Sequence, residues 1–368
     1  MSDAPSRSSI GVGLLGCGIV GSGAARHLLR EREAVERAVG VPVVIKRVAV
    51  RNLAKKRDAD LDHAIFSHDP AEVVADPSVD VVVEAMGGIE PARSSILQAI
   101  DLGKPVVTAN KELLSTLGSE LFAAADERGV DMYFEAAVAG GIPLIRPLKE
   151  SLAGEGIRRV IGIVNGTTNF ILTRMSEGGV SFTEALAEAE RLGYAEEDPT
   201  ADIEGFDAAA KAAILASIAF RSRVVAGDVY REGISHVTHR DIEFAQRLGY
   251  TVKLVAIAEE IGGEIAVRVH PAMLPSNHPL AAVRDSFNAV FVEGATVGNL
   301  MFYGRGAGGD PSGSAVAGDI VAAARNLMTG GRTLGCTCYF TKRVLPIDEM
   351  ESQYYLLLSV QDLPGVLA

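Results

Sequence analysis

The chain is poor in cysteine, and its few cysteines argue against a disulfide framework. Three cysteines occur among 368 residues, and a small, odd number is typical of reduced thiols in a reducing compartment. The pair Cys336 and Cys338 alone does not make a metal site. Because no basic segment followed by an apolar one opens the sequence, we expect neither a signal nor a transit peptide, and we expect a cytoplasmic protein.

Positive charge and long apolar runs are also scarce. Thirty-five Lys and Arg residues against 47 Asp and Glu residues give a net charge of −12, which argues against nucleic acid or an anionic membrane as a partner. The longest stretch without a charge, residues 8–25, is interrupted by glycines and is not a credible membrane span. The chain is nevertheless 48% hydrophobic, which is enough to bury the cores of two domains.

Residues 10 to about 145 alternate short β-branched runs with longer segments of helical apolar spacing. This alternation is typical of right-handed crossovers and a mainly parallel sheet. The predicted strands are Ile10–Leu15, Val41–Val50, Asp80–Glu84, Pro105–Thr108 and Asp131–Glu135, and the predicted helices are Pro91–Leu102 and Lys111–Arg128. We therefore predict the α/β class, with a Rossmann-like doubly wound parallel sheet in a nucleotide-binding domain over residues 1–145.

The pattern changes after Pro143, which predicts a second domain of α+β type over residues 146–303. Its predicted helices are Ser181–Leu192, Asp207–Phe220 and Thr238–Leu248, and its predicted strands are Thr251–Ala258, Glu264–His270 and Ala289–Glu293. Gly262 and Gly263 between the first two strands indicate a hairpin. A Gly-rich loop, Gly304–Gly313, and an apolar helix, Ala315–Leu327, form a further segment over residues 304–335.

A glycine fingerprint follows the first strand. Gly16, Gly18 and Gly21 lie between that strand and a helical segment, with Ile19 and Val20 among them. Glycines in this order permit a tight turn and close approach of a diphosphate to a helix N-terminus. We interpret these five residues as cofactor-binding, and a purely structural turn is the alternative.

The second strand lacks the acidic residue that usually holds the ribose of NAD. No Asp or Glu occurs between Glu36 and Asp58, whereas Arg51 follows the strand directly. A guanidinium group suits the 2′-phosphate of NADP. We favour NADP(H) over NAD(H), although a solvated basic loop is the alternative and the distance from Gly21 exceeds the usual spacing.

Three ionisable residues stand out beyond the fingerprint. Lys111 follows a strand end, at the edge where doubly wound sheets bind ligands, although an exposed lysine in a first helical turn would look the same. Asp207 and Lys211 share one face of an Ala-rich helix at i and i+4. A surface ion pair has this spacing too, but burial would make the lysine a tunable acid.

Four segments together resemble the homoserine dehydrogenases, which interconvert L-aspartate 4-semialdehyde and L-homoserine. These segments are Thr108–Lys111, Glu135–Pro143, Asn165–Asn169 and Ala189–Lys211, in the family order. The resemblance covers residues 10 to about 330. It implies that the second domain carries catalysis and dimerisation, so that a homodimer or homotetramer is expected.

The resemblance also implies roles for individual residues. Lys211 would donate the proton, Asp207 would orient it, and Glu196 would bind the substrate ammonium. Lys111 would lie between nicotinamide and substrate, and which of the two lysines delivers the proton stays open. The other implied contacts are Asp202, Tyr194, Gly166 and Thr167 for the substrate and Gly87 and Gly308 for the cofactor.

A monovalent cation, Na⁺ or K⁺, is a further implication of the resemblance. Its ligands by position would be Glu135, Val138, Gly140 and Ile142, mostly through backbone carbonyls. An ordinary glycine turn is the alternative.

The last residues resemble the first strand and turn of an ACT regulatory domain, over residues 350–368. We expect that this sequence is a piece of a longer protein, in which threonine acts as a feedback inhibitor. The alternative is a terminal strand that pairs with the catalytic domain or with a neighbouring subunit. Two other functions stay open, namely another NAD(P)-dependent semialdehyde or amino-acid dehydrogenase and a non-catalytic NAD(P)-binding redox sensor.

Overall fold

The computed structural model of the chain describes residues 7–57 and 59–360, which contain two six-stranded sheets. The strands of the first sheet are β1 (Ile10–Leu15), β2 (Val43–Ala49), β3 (Phe66–Ser67), β4 (Val81–Glu84), β5 (Val106–Thr108) and β6 (Met132–Tyr133). The helices between them are α1 (Ile19–Arg30), α2 (Arg32–Val39), α3 (Pro70–Ala75), α4 (Ala92–Asp101) and α5 (Lys111–Arg128). All its strand pairs are parallel.

The first sheet confirms the predicted Rossmann-like architecture. Its order is β3-β2-β1-β4-β5-β6, so the direction of winding reverses between β1 and β4, where such sheets bind ligands at the carboxyl ends of the strands. Every residue of β1 and β4 is buried, as expected for a parallel sheet covered on both faces.

The bounds of one strand near the site differ from the prediction. β6 ends at Tyr133, and Glu135 begins a short 3₁₀ turn, Glu135–Ala137, instead of extending the strand. The Glu135 carboxylate accepts hydrogen bonds from the backbone N–H groups of Leu144, Ile145 and Arg146. These three hydrogen bonds hold residues 144–146 against Glu135, so the chain turns here and the strand does not continue.

The second half of the chain builds a mixed sheet with helices. Its elements are β7 (Ile157–Ile163), α6 (Gly166–Gly178), α7 (Phe182–Arg191), α8 (Thr200–Ile203), α9 (Phe206–Ala219), β8 (Tyr230–Arg231), α10 (His239–Arg247), β9 (Tyr250–Ile261), β10 (Glu264–Pro275), β11 (Phe287–Gly294), β12 (Gly298–Arg305) and α11 (Gly309–Thr329). The strand order is β12-β11-β7-β9-β10-β8. Only the β8–β10 pair is parallel within this sheet as described.

Alternate residues along the second sheet serve two different cores. Val160 and Val290 join the large core that contains α6 and α9. Ile161 and Phe291 face the other way and pack with Leu280. Because side chains alternate between the two faces of a sheet, α6 and α9 pack on the same face, against Val160 and Val290. There they position the charged side chains described below.

The glycine-rich stretch before α11 was predicted as a loop through Gly313, and that prediction is wrong. α11 begins at Gly309 and packs across α1. A Cβ atom on Gly313 would lie 2.3 Å from the carbonyl carbon of Gly23, and one on Gly23 would lie 2.0 Å from the Gly309 oxygen. These glycines therefore allow two helices to touch, rather than making the chain a loop.

Local signals account for several other helix ends. A capping box begins α10, inside the predicted helix Thr238–Leu248: the Thr238 hydroxyl accepts from the Asp241 N–H at 3.2 Å, and the Asp241 carboxylate accepts from the Thr238 N–H at 2.9 Å. The predicted hairpin is also present, with longer strands than expected. The structure also contains elements that were not predicted, namely β7, α6 and β12 and the shorter α2, β3, α3, α8 and β8.

The ACT-like assignment of residues 350–368 falls partly beyond the described chain. Residues 351–360 are exposed and form neither helix nor strand, and residues 361–368 lie outside the described residues. A strand needs a hydrogen-bonded neighbour, and these ten residues have none in a sheet here.

In the described ranges, no helix has the length and apolar character that crossing a bilayer requires.

Candidate active site

A buried lysine–aspartate pair lies in the first turns of α9. Lys211 Nζ donates to Asp207 Oδ2 at 2.6 Å and to the carbonyl oxygen of Val164 at 2.7 Å. Eleven of the 14 residues of α9 are buried, most of them alanine or isoleucine. The spacing of i and i+4 fits a surface ion pair as well as a buried one. Because both side chains are buried, the pair is not a surface pair.

Lys111 reaches the same carboxylate from the other half of the molecule. It is the first residue of α5, directly beyond the carboxyl end of β5, and its ammonium forms an ion pair with Asp207 Oδ1. Its side chain is 44% exposed, against 9% for that of Lys211. Asp207 thus bridges a buried lysine and an accessible one where the two halves of the chain meet.

Burial and mutual attraction shift the pKa values of the three groups in opposite directions. Burial alone would raise the pKa of Asp207, but the ammonium groups of Lys211 and Lys111 hold that pKa well below its ordinary range. Burial lowers the pKa of Lys211, against the attraction of Asp207. Burial also disfavours the charge on Lys111, but there the Asp207 carboxylate prevails and raises the pKa. The two lysines therefore differ: the surroundings of Lys211 favour loss of its proton, and those of Lys111 favour its charged form.

Asn165, which the sequence analysis did not single out, connects the pair to the predicted substrate pocket. Its amide donates to Asp207 Oδ2 at 2.9 Å and to Asp202 Oδ1 at 2.6 Å. Its side-chain oxygen accepts from the Thr168 N–H at 2.9 Å and so caps α6. An Asn before a helical segment is a recognisable N-cap signal, but nothing local indicates its distant partners.

The other predicted substrate residues surround this cap, with one exception. The Thr167 hydroxyl donates to the carbonyl oxygen of Tyr194 at 2.6 Å. A Cβ atom on Gly166 would lie 2.8 Å from the Ser286 oxygen, so the start of α6 needs glycine there. Glu196 is exposed, and no described hydrogen bond or ion pair joins it to the lysine–aspartate cluster.

The predicted cofactor turn has the features that a diphosphate requires. Gly16 has a φ of +94°, and a Cβ atom there would lie 2.5 Å from the Ala85 oxygen. Gly18 caps α1 without a side-chain hydrogen bond, and no atom lies within 4 Å of the position its Cβ would take. The chain therefore leaves room beside the N-terminus of α1, where free N–H groups of a helix suit an anionic group.

The remaining cofactor residues border this turn. Ile19 is 76% exposed at the start of α1, and Val20 is half-buried. Gly87 follows β4 with a φ of +74°, and Gly308 precedes α11 with a φ of +119°. Arg51 lies on the surface two residues beyond β2, the neighbour of β1, and makes no ion pair in the described part of the chain. A cofactor phosphate could therefore meet a free guanidinium group.

The predicted cation ligands lie in one turn beyond β6. Ala139 and Gly140 there have φ values of 55° and 36°. Across residues 7–57 and 59–360 no group of three or more His, Cys, Asp or Glu side chains is arranged to hold a metal ion. Backbone oxygens with at most one carboxylate would suit a hard monovalent ion rather than a transition metal. The three N–H groups on Glu135 are equally consistent with the alternative, a turn without an ion.

A dinucleotide-type turn after β1, together with a buried lysine–aspartate pair that is joined to Lys111 beyond β5, is typical of one class of protein, a nicotinamide-dependent oxidoreductase. Two family models match the chain: homoserine dehydrogenase over residues 143–321, and the homoserine dehydrogenase NAD-binding domain over residues 16–135. A homoserine dehydrogenase of Mycobacterium tuberculosis (strain ATCC 25618 / H37Rv) is 51% identical over 364 residues, which are 98% of this chain and 82% of that protein.

Solved structures agree with the sequence relatives. A homoserine dehydrogenase from Thiobacillus denitrificans superposes with a TM-score of 0.86 at 44% identity, over 92% of this chain and 80% of that one. A hyperthermophilic archaeal homoserine dehydrogenase in complex with NADPH superposes with a TM-score of 0.73 at 30% identity, over 86% and 97%. The chain belongs to the homoserine dehydrogenase family. It is an oxidoreductase that acts on a CH–OH group, and the alternative functions are not favoured.

Proposed function

We propose that Lys211 is the acid–base residue with which this homoserine dehydrogenase interconverts L-aspartate 4-semialdehyde and L-homoserine. The observation that carries the proposal is the bridge from Asp207 to both Lys211 and Lys111 where the two halves meet. When bound, a reduced nicotinamide supplies the hydride for the aldehyde carbon. Proton transfer and charge stabilisation are then the work of the chain itself.

Each member of the cluster has a distinct proposed role. Lys211 donates a proton to the carbonyl oxygen, which its lowered pKa favours over an ordinary lysine. Lys111, whose pKa is raised, stays charged and stabilises the developing alkoxide. Asp207 fixes both amines. In the reverse direction, neutral Lys211 accepts the proton of the substrate hydroxyl.

Substrate recognition is assigned to the loop and cap beside the cluster. Glu196 binds the substrate ammonium, since its carboxylate is exposed and has no described partner. Asp202, Tyr194 and the Gly166-Thr167 turn complete the pocket, and the contacts of Asn165 and Thr167 support this placement.

The preferred cofactor is NADP(H), and NAD(H) is the alternative. The exposed Arg51 beyond β2 supports this preference, as does the archaeal relative solved in complex with NADPH. We further propose that Na⁺ or K⁺ binds at Glu135, Val138, Gly140 and Ile142. The enzyme acts as a cytoplasmic homodimer or homotetramer in threonine, methionine and isoleucine biosynthesis.

A matched pair of lysine variants tests the role of Lys211. The assay is the loss of NADPH absorbance with L-aspartate 4-semialdehyde, and NADPH affinity is measured separately by fluorescence. Lys211→Met is expected to lower kcat by about 10²–10⁴-fold, the usual contribution of a general acid, with little change in NADPH affinity. Lys253→Met is the control, since Lys253 is also buried but binds Asn169 and the Val283 oxygen.

Two results would contradict the assignment. Near-normal turnover of Lys211→Met excludes Lys211 as the acid, and a loss confined to Lys111→Met transfers that role to Lys111. Comparing NADPH with NADH in the same assay tests the cofactor preference.

A further inference from the structure

A buried carboxyl group outside the described cluster ends the central strand of the first sheet. Glu84 is the last residue of β4 and is fully buried. Its Oε1 accepts from the backbone N–H groups of Met86 at 2.7 Å and Gly87 at 3.1 Å. Its Oε2 accepts from the Thr108 hydroxyl at 2.6 Å. Within residues 7–57 and 59–360 it makes no ion pair, so its contacts are these three hydrogen bonds.

The hydrogen bonds continue from Thr108 to the start of α5. Thr108 Oγ1 accepts from the Asn110 N–H at 3.1 Å. The Asn110 amide donates to the Gly88 oxygen at 2.7 Å, and its side-chain oxygen accepts from the Leu113 N–H at 3.1 Å, which caps α5. Glu84, Thr108 and Asn110 are all buried. The network therefore joins the 86–88 turn to the first turn of α5 through three buried side chains.

Lys111 is the first residue of that helix, directly after Asn110. The 86–88 turn, on the other side of the network, contains the predicted cofactor residue Gly87. We propose that Glu84 is a positioning residue, which fixes the Lys111 amine relative to the cofactor-binding turn. This inference rests on the proposed role of Lys111 in the reaction. Glu84 cannot touch the substrate itself, because no part of it is exposed.

The chemistry of the network explains why a carboxyl group is needed. Two carboxylate oxygens accept all three hydrogen bonds at once, whereas the amide of Gln has only one acceptor oxygen. In Glu84→Gln either the 86–88 turn or the Thr108 hydroxyl loses its acceptor. Thr108→Val keeps the shape of the side chain but removes both the hydroxyl donor and the acceptor for the Asn110 N–H, while Thr108→Ser keeps both.

The test compares these variants with a buried carboxylate at the amino-terminal end of the edge strand β6. Asp131, just before β6, accepts from the Tyr133 hydroxyl at 3.0 Å and from the Asn326 amide at 2.9 Å. Glu84→Gln and Thr108→Val are expected to lower kcat with NADPH about 10–100-fold, the effect of misplacing a reacting group by about 1 Å. The KM for semialdehyde should change far less. Asp131→Asn should lower the melting temperature without this loss of kcat. Thr108→Ser should keep a kcat close to that of the parent protein, in contrast to Thr108→Val.

A double variant separates this inference from the proposed function. If Glu84 acts through Lys111, Glu84→Gln should have little further effect on the kcat of Lys111→Met. A full additional loss in that background overturns the inference, as does wild-type kcat in both Glu84→Gln and Thr108→Val. Wild-type kcat in Lys111→Met alone contradicts the role of Lys111 instead. If Glu84→Gln fails to fold, the Thr108→Val and Thr108→Ser pair decides the question.

Discussion

The two sides of the active site are built by opposite means. The cofactor side is made of backbone, with Gly16 in a left-handed turn and Gly18 leaving the start of α1 open. The substrate side is made of charged side chains, with Asp207 and Lys211 buried in an Ala-rich helix. One side therefore depends on the absence of side chains, and the other on charges that only their mutual contacts make tolerable.

This difference predicts different consequences of damage. Adding an atom to the glycine turn changes the shape of a surface, whereas removing a charge from the cluster leaves its partner buried without compensation. The first should alter binding or local folding, and the second should affect catalysis and stability together.

The largest effect is expected for Asp207→Asn, which leaves Lys211 buried without a counter-charge. Breaking a buried ion pair in this way should lower the free energy of unfolding at pH 7 by about 3–5 kcal/mol. Turnover should fall as well, since both lysines lose their anchor. Urea denaturation and the NADPH assay measure the two effects, with the exposed Glu197→Gln in the neighbouring loop as control.

The stability deficit of Asp207→Asn should shrink as the pH rises. Burial lowers the pKa of Lys211 in the folded state and the Asp207 carboxylate opposes this, so without the carboxylate the folded variant releases this proton at a lower pH than the folded parent protein does. The stability lost at neutral pH is then recovered as the pH rises through the folded pKa toward the unfolded value of about 10.4. Equal deficits at pH 7 and pH 9.5 would contradict this account.

The same difference explains which parts of the site could be predicted from the sequence. The glycine turn was predictable, because strand, glycines and helix are adjacent in the chain and each requirement is local. The bounds of α5, Lys111–Arg128, were also predicted correctly, since Asn110 caps it and Gly129 ends it in a left-handed conformation. The alternation of strand and helix patterns, which is also read locally, predicted the Rossmann-like sheet for the same reason.

The contacts of the charged cluster were not predictable from local pattern. These residues come from three separate segments, which contain Lys111, Asn165 and the stretch from Asp202 to Asp207, and only packing of α5, α6 and α9 brings them together. The family resemblance predicted roles for Lys111, Asp202 and Asp207. It did not predict that Asn165 hydrogen-bonds to both aspartates. Gly309 and Gly313 show the opposite failure, because glycine predicts a loop and a close helix contact equally well.

A pair of glycine variants sharpens the comparison on the cofactor side. Gly16→Ala forces a side chain into a φ of +94° and places its Cβ 2.5 Å from the Ala85 oxygen, so we expect a loss of about 2–4 kcal/mol in the free energy of unfolding. Gly18→Ala meets no protein atom within 4 Å, so the fold should be kept while NADPH binding weakens. Thermal unfolding with and without NADPH distinguishes the two. Full NADPH affinity in Gly18→Ala would mean that the open space at α1 is not the diphosphate site.

The smallest expected effect concerns Arg51, an exposed side chain that should act on one phosphate alone. Arg51→Ala should weaken NADPH by about 1 kcal/mol, roughly fivefold, because an exposed charge pair contributes little, and it should leave NADH unchanged. Fluorescence titrations with both cofactors measure this, and Arg37→Ala on the exposed face of α2 is the control. The difference should shrink at high salt, since screening weakens exposed charges. An equal loss for NADPH and NADH would place Arg51 beside a group that both cofactors share, and the 2′-phosphate contact would then belong to another cation of the 51–57 loop.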